Sequence, residues 1–86
     1  MKLRSEVQWQ REGERPGFLF DPRLGGLFGL NDTSCVVLEG LARGLDEETL
    51  VREIQETFDV PELTARVDLS AFLNLLMEHD LVSLDV

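Results

Sequence analysis

The 86-residue sequence contains one cysteine, Cys35, and one histidine, His79, two residue types that often act as nucleophile or base in catalysis. A reactive cysteine needs a neighbouring base or cation that lowers the pKa of its thiol. Cys35 lies instead on the apolar face of a predicted helix, which indicates a buried and inert thiol. His79 stands alone near a predicted helix end, which favours a capping role. We therefore predict that the protein is not an enzyme.

Motifs that bind metals or phosphates are also missing from the sequence. It contains no C-x-x-C pair, no H-E-x-x-H motif and no G-x-x-x-x-G-K-[ST] loop. The first two patterns place ligands around zinc, and the third wraps backbone N–H groups around phosphates. We predict no cofactor and no metal site.

Charge narrows the classes of partner. The sequence has 8 Lys and Arg against 17 Asp and Glu, a net charge of -9, and beyond Gly44 eleven acids face only Arg52 and Arg66. Such a chain repels phosphates, so neither nucleic acid nor an anionic membrane is an expected partner. One cysteine cannot form an internal disulfide, and no stretch resembles a signal peptide or a membrane span. We predict a cytoplasmic protein in which residues 1–86 form a single domain.

The first third of the sequence predicts three short strands. The stretch VQWQ from Val7 alternates apolar and polar residues, which is typical of a half-buried strand, and turn-forming residues follow at 12–17. Residues 18–20 predict a second strand that stops at Asp21-Pro22. After a turn at Gly25, residues 26–30 predict a third.

Three helices follow. Asn31 and its polar neighbours supply N-cap oxygens for the first helix, and Gly44 ends it. Asp46 caps the second helix, and Pro61 precedes a third from about residue 63 to 79, whose predicted core face is Leu69, Phe72 and Leu76. The order predicts an α+β, winged helix-turn-helix-like fold, with a three-stranded antiparallel sheet followed by three helices.

Two long stretches carry a family resemblance: FLFDPRLGGLFGLNDTSCVVLEGL and LDEETLVREIQETFDVPELTARVDLSAFLNLLMEHDLV. They resemble the PqqD family, small domains also called RiPP recognition elements, which bind leaders of ribosomally made precursor peptides. The resemblance covers about residues 7 to 84. The family commonly has Gly before the final Leu, where this chain has Asp80. Asp adopts the left-handed conformation at modest cost, so we expect the helix end to be preserved.

The resemblance implies β-strand addition, in which the leader pairs with the third strand and lies against the third helix. On that helix, the stripe beside the predicted core face offers an apolar floor, and Arg66 is expected to pair with a leader carboxylate. The predicted peptide-binding residues are Gly26, Leu27, Phe28, Gly29, Leu30, Arg66, Val67, Ser70, Leu73, Asn74 and Met77.

Simpler interpretations of these residues stay open at this point. Arg66 can pair with Glu62 one helical turn away, and apolar residues such as Leu73 and Met77 at helical spacing are more often core than pocket. The turn alone also explains Gly25 and Gly26, without any role in binding. The residues 73 and 75–77 are all apolar, which is more than a single core stripe can bury.

The function that the resemblance implies is that of a peptide chaperone. It would bind the precursor leader and deliver the peptide to a modifying enzyme: a radical SAM enzyme in PqqD systems, or a cyclase or protease of another RiPP pathway. The product would be pyrroloquinoline quinone (PQQ) or another modified peptide, such as a lasso peptide. The alternative is a winged-helix adaptor that binds another protein or, less favoured, DNA. A homodimer paired through the same strand edge is a further alternative.

Overall fold

The computed structural model describes residues 1–13 and 15–83, and they form an α+β fold. In chain order the elements are β1 Lys2–Leu3, β2 Gln8–Glu12, β3 Arg15–Asp21, β4 Gly26–Leu30, α1 Asp32–Ala42, α2 Glu47–Phe58, α3 Glu62–Glu78 and β5 Val82–Ser83. The fold class, with a three-stranded sheet ahead of three helices, is therefore confirmed. No described helix is long and apolar enough to cross a membrane.

The main sheet is antiparallel, in the order β2-β3-β4. The third predicted strand is β4, with the bounds that the sequence indicated. The first two strands run further into the predicted turn, since β2 ends at Glu12 and β3 begins at Arg15, and Glu14 between them lies outside the described residues. β4 is the last strand in this order, so it forms one edge of the sheet.

A second, two-stranded sheet pairs β1 with β5, with Leu3 opposite Val82. The sequence does not predict this pairing, because a strand of two residues is too short to show a periodic pattern. The pairing brings the two ends of the described chain together, and Leu81 and Val82 beside it are buried in the core.

The helix ends follow the predicted capping. The side chains of Asn31 and Asp46 accept backbone N–H bonds at the starts of α1 and α2, both at 2.8 Å. Gly44, after α1, has a φ of 76°, and Asp80, after α3, has a φ of 54°. Asp80 thus takes the left-handed conformation expected in place of glycine, and Leu81 N–H donates back to the Leu76 carbonyl as in a glycine-ended helix.

Ionic contacts fix the end of α3 beside the sheet. Arg23 pairs with the buried Asp21 through both carboxylate oxygens at 3.0 Å and donates to the Asp80 carbonyl. Arg4 pairs with the Asp80 carboxylate at 2.6 Å. The His79 ring lies 4.7 Å, centroid to centroid, from the ring of Phe28 in β4. The carboxyl end of α3 is therefore anchored next to β4.

Candidate functional site

A groove of about 670 Å³ lies between the edge strand β4 and the helix α3. The residues that line it come mostly from these two elements, with the start of α1 and the chain after α3 closing it. They are Leu19, Leu27, Phe28, Gly29, Leu30, Asn31, Thr33, Ser34, Asp68, Ala71, Phe72, Leu75 and Leu81. Their side chains are mainly apolar, so the groove suits a ligand with apolar side chains of its own.

The wall formed by β4 presents an open strand edge. Among the described residues, β4 pairs with β3 alone, so its other edge has no strand beside it. Its side chains alternate as a half-buried strand requires: Leu30 is buried and Phe28 half-buried, whereas Leu27 is 69% exposed. A Cβ added at Gly29 would meet no atom within 4 Å. A second extended backbone can therefore approach this edge without meeting a bulky side chain at that position.

The wall formed by α3 is one face of the helix. Asp68, Ala71, Phe72 and Leu75 line the groove at spacings of three and four residues, which places them on one side of an α-helix. We call these four residues the groove flank. Phe72 and Leu75 are half-buried, and Asp68 and Ala71 are exposed. The groove flank thus offers an apolar surface with one carboxylate near its amino-terminal end.

The stripe of α3 predicted from the sequence does not border this groove. The prediction that Leu73 forms its floor is wrong, because Leu73 is buried with the core residues Ala65, Leu69 and Leu76. Of the other predicted residues of α3, Arg66, Ser70 and Met77 adjoin the core stripe on the side away from the groove, and Val67 and Asn74 lie on the exposed face; none of them lines the groove. We call them the outer flank: Arg66, Val67, Ser70, Asn74 and Met77.

The sequence prediction placed the groove on the wrong side of the core stripe of α3. Apolar residues adjoin the core stripe on both sides, with Phe72 and Leu75 on one and Met77 on the other. Periodicity fixes a helix's core face but not which neighbouring element lies beside each of its edges. The excess of apolar residues at 73 and 75–77 was a valid signal, and Leu75 is the member of that run that lines the groove.

Arg66 is paired with acidic side chains of this same protein. Its guanidinium makes a two-bond pair with Glu48 of α2, at 3.0 and 2.8 Å, and a further bond to Glu62 at 2.9 Å. These bonds raise the pKa of Arg66 and lower the pKa of Glu48. Arg66 and Ser70 border a separate cavity of about 90 Å³ between α2 and α3. The simpler interpretation, an intrahelical pair with Glu62, is thus confirmed, and the groove lies on the other side of the helix.

Four of the five predicted residues of β4 lie at the groove. Leu27, Phe28, Gly29 and Leu30 all line the groove. Gly26 begins the strand opposite Asp21 and does not line it, and a Cβ at Gly26 would come within 3.0 Å of the Phe28 ring. Four of the strand residues selected from the sequence thus line the groove, whereas the residues of α3 that line it were not among those selected.

Of the two side chains considered for catalysis, His79 packs against Phe28 at the groove, and Cys35 does not line it. Cys35 is 1% exposed, and burial raises the pKa of its thiol. That thiol is therefore shielded and protonated at neutral pH. No group of His, Cys, Asp or Glu side chains within residues 1–13 and 15–83 could hold a metal ion.

Comparison with known proteins agrees with the fold. TbiB1, solved in complex with the TbiA(beta) leader peptide, matches with a TM-score of 0.85 at 24% sequence identity, covering 100% of this chain and 99% of that one. At this identity the likeness shows a shared fold. Comparison with curated proteins finds no match. The family model of coenzyme PQQ synthesis protein D (PqqD) matches residues 17–82, and the chain therefore belongs to the PqqD family.

Proposed function

We propose that this protein binds the leader segment of a ribosomally synthesised precursor peptide and delivers that peptide to a modifying enzyme. The leader adds as a strand to the free edge of β4, and its side chains enter the groove against α3. The observation that carries the proposal is the combination of an open strand edge with an apolar groove along it, in a chain of the PqqD family.

Strand addition divides affinity and specificity between two parts of the site. Backbone groups of β4 that have no strand partner would bond to the leader backbone, whatever its sequence. Alternate leader side chains would point into the groove and meet Phe28 from the strand and Phe72 and Leu75 from the helix. Burial of those side chains contributes roughly 25 cal/mol per Å² of apolar surface. Leaders with apolar residues at alternate positions are therefore favoured.

The likeness to TbiB1 supports a peptide as the ligand. That protein was solved with a leader peptide, and its fold matches this chain over nearly the full length of both. The groove here opens along β4, where an extended segment of several residues fits more readily than a compact ligand. Arg66, a cation that a DNA-binding helix would need for phosphate contacts, is engaged by Glu48 and Glu62.

The proposed role needs no catalytic residue. Holding the leader would raise the effective concentration of the rest of the precursor at the active site of a bound enzyme. The modifying enzyme would be a radical SAM enzyme, or a cyclase or protease, of a pathway that makes PQQ or another modified peptide. Pairing of two copies through β4 would compete with the leader for the same edge.

A direct binding measurement tests this function. The leader peptide encoded nearest to this protein's gene is labelled with fluorescein, and its anisotropy is followed as the protein is added. A scrambled peptide of the same composition is the control. We expect saturable binding of the leader in the micromolar range or tighter, with much weaker binding of the scrambled peptide. Equal binding of both peptides, or of neither, would contradict the proposal.

A further inference from the structure

Within the described part of the chain, one charged side chain lines the groove, and it is negative. That side chain is Asp68. Asp68 is exposed, and within the described residues no hydrogen bond or ion pair involves its carboxylate. Arg66, two residues earlier, pairs with Glu48 and Glu62 on the other side of the helix. Asp68 is therefore available to a cation that enters the groove.

The charges around the groove do not offset Asp68. The amino-terminal end of α1 closes part of the groove, but the Asn31 side chain already accepts from Ser34 N–H there. Arg11 near this helix end is paired with Asp32 and Glu39. Near the carboxyl end of α3, two arginines are likewise paired with acids: Arg4 with Asp80, and Arg23 with Asp21. Each of these arginines is thus paired with an acid, whereas Asp68 has no described partner.

On the basis of the proposed function, we infer that the leader bound in this groove carries a Lys or Arg side chain opposite Asp68. The inferred leader charge is positive, whereas the sequence predicted a negatively charged leader carboxylate against Arg66. The aliphatic stem of such a side chain packs over Ala71, the next residue of the groove flank, while its charged end reaches the carboxylate.

The spacing along the leader follows from the helix. Asp68 and Leu75 are separated by about two helical turns, which is roughly 10 Å along the axis. An extended peptide advances about 3.3 Å per residue, and side chains on one face recur at every second residue. For a leader strand that runs along the axis of α3, the basic residue therefore lies about two or four positions from the apolar residue that packs on Leu75. The length of a Lys or Arg side chain covers the remainder.

Three synthetic forms of the leader test this inference. The leader used in the anisotropy titration is made with Lys, Gln or Glu at the basic position, and each is titrated with the wild-type protein and with Asp68→Asn. We expect the wild-type protein to bind the Lys form about two- to fivefold more tightly than the Gln form, and the Glu form most weakly. Asp68→Asn should remove the preference, and 0.5 M salt should diminish it.

Two further variants control for net charge and for folding. Glu56 is an exposed acid of α2 away from the groove, so Glu56→Gln makes the same charge change and should keep the Lys preference. Asp68→Lys should reverse the order of the Lys and Glu forms, which a merely misfolded variant would not do.

The outcomes separate the two proposals. If none of the three peptides binds, the proposed function itself is wrong, and this inference falls with it. If all three bind equally, or if Asp68→Asn leaves the Lys preference intact, leader binding stands and the inference is wrong. A natural leader that binds but has no Lys or Arg at either spacing would also overturn the inference.

Discussion

The two flanks of α3 differ in what surrounds them, although the same helix presents both. The groove flank faces the open edge of β4 across an apolar groove, and its carboxylate, Asp68, has no described partner. On the outer flank, Arg66 and Ser70 border a small cavity against α2, and the cation Arg66 is paired with Glu48 and Glu62. A surface whose charges are already paired contributes to holding helices together. A surface with an open strand edge and an available charge is suited to a ligand.

The largest expected effect is on the free energy of unfolding, and it distinguishes the core of α3 from the outer flank. Leu73 is 4% exposed and Met77 is 43% exposed, one turn further along α3. Leu73→Ala leaves a cavity in the core and should lower the free energy of unfolding by about 2–5 kcal/mol. Met77→Ala should change it by less than about 0.5 kcal/mol. Urea denaturation followed by circular dichroism measures both, and similar values for the two variants would contradict the assignment of Leu73 to the core.

The second prediction compares the flanks by filling each of them with a large side chain. Ala71 is exposed on the groove flank, and Asn74 is exposed on the outer flank. Ala71→Trp would occupy the groove and should weaken leader binding at least about tenfold, which corresponds to 1.4 kcal/mol. Asn74→Trp should leave the affinity within about twofold of the wild-type value.

Thermal unfolding of both tryptophan variants checks that each is folded before the titration. Greater loss of affinity in Asn74→Trp than in Ala71→Trp would assign the peptide to the outer flank.

The third prediction concerns the ionic contacts that anchor α3 beside β4. Hydrogen bonding and pairing with Arg23 lower the pKa of Asp21 below its ordinary 3.8, and pairing with Arg4 lowers that of Asp80. A carboxylate whose pKa is lowered by folding stabilises the protein above its unfolded-state pKa, and this contribution is lost as the pH falls through the folded-state value. The wild-type protein should therefore lose stability as the pH falls below about 4.

Asp21→Asn should lower the melting temperature at pH 7 and flatten its dependence on pH in the acid range. The difference from the wild-type protein should shrink as the pH falls. Melting curves between pH 7 and pH 2 would show this, and a difference that stays constant over the whole range would refute the role given to Asp21.

The smallest expected effect is on the outer flank. Arg66→Gln removes the bonds to Glu48 but leaves the groove flank untouched. Leader affinity should stay within about twofold of the wild-type value, since exposed ion pairs contribute little. A small loss of thermal stability that diminishes in high salt would agree with the pairing seen between α2 and α3. A tenfold loss of leader affinity would instead return Arg66 to the binding site.

The sequence predicted those features that depend on residues close together in the chain. The alternation from Val7 to Gln10, the caps at Asn31 and Asp46, and the left-handed Asp80 are all local, and each is confirmed. The short pair β1 and β5 joins residues some eighty positions apart and carries no periodic signal. The flank of α3 that meets the groove depends on how the helix is rotated against β4, which tertiary packing decides. The strand residues that line the groove were therefore predictable, and the helix residues that line it were not.

The measurement that tests the central claim most directly is a titration of the isotope-labelled protein with the neighbouring leader peptide, followed by backbone amide NMR. We predict that shift changes concentrate in two segments: residues 27–30 of β4 and the groove flank, Asp68, Ala71, Phe72 and Leu75. Amides of β4 that are exposed in the free protein should also become protected from hydrogen exchange, because they gain a strand partner. Shift changes confined to the outer flank, with the β4 amides unprotected, would contradict strand addition in the groove.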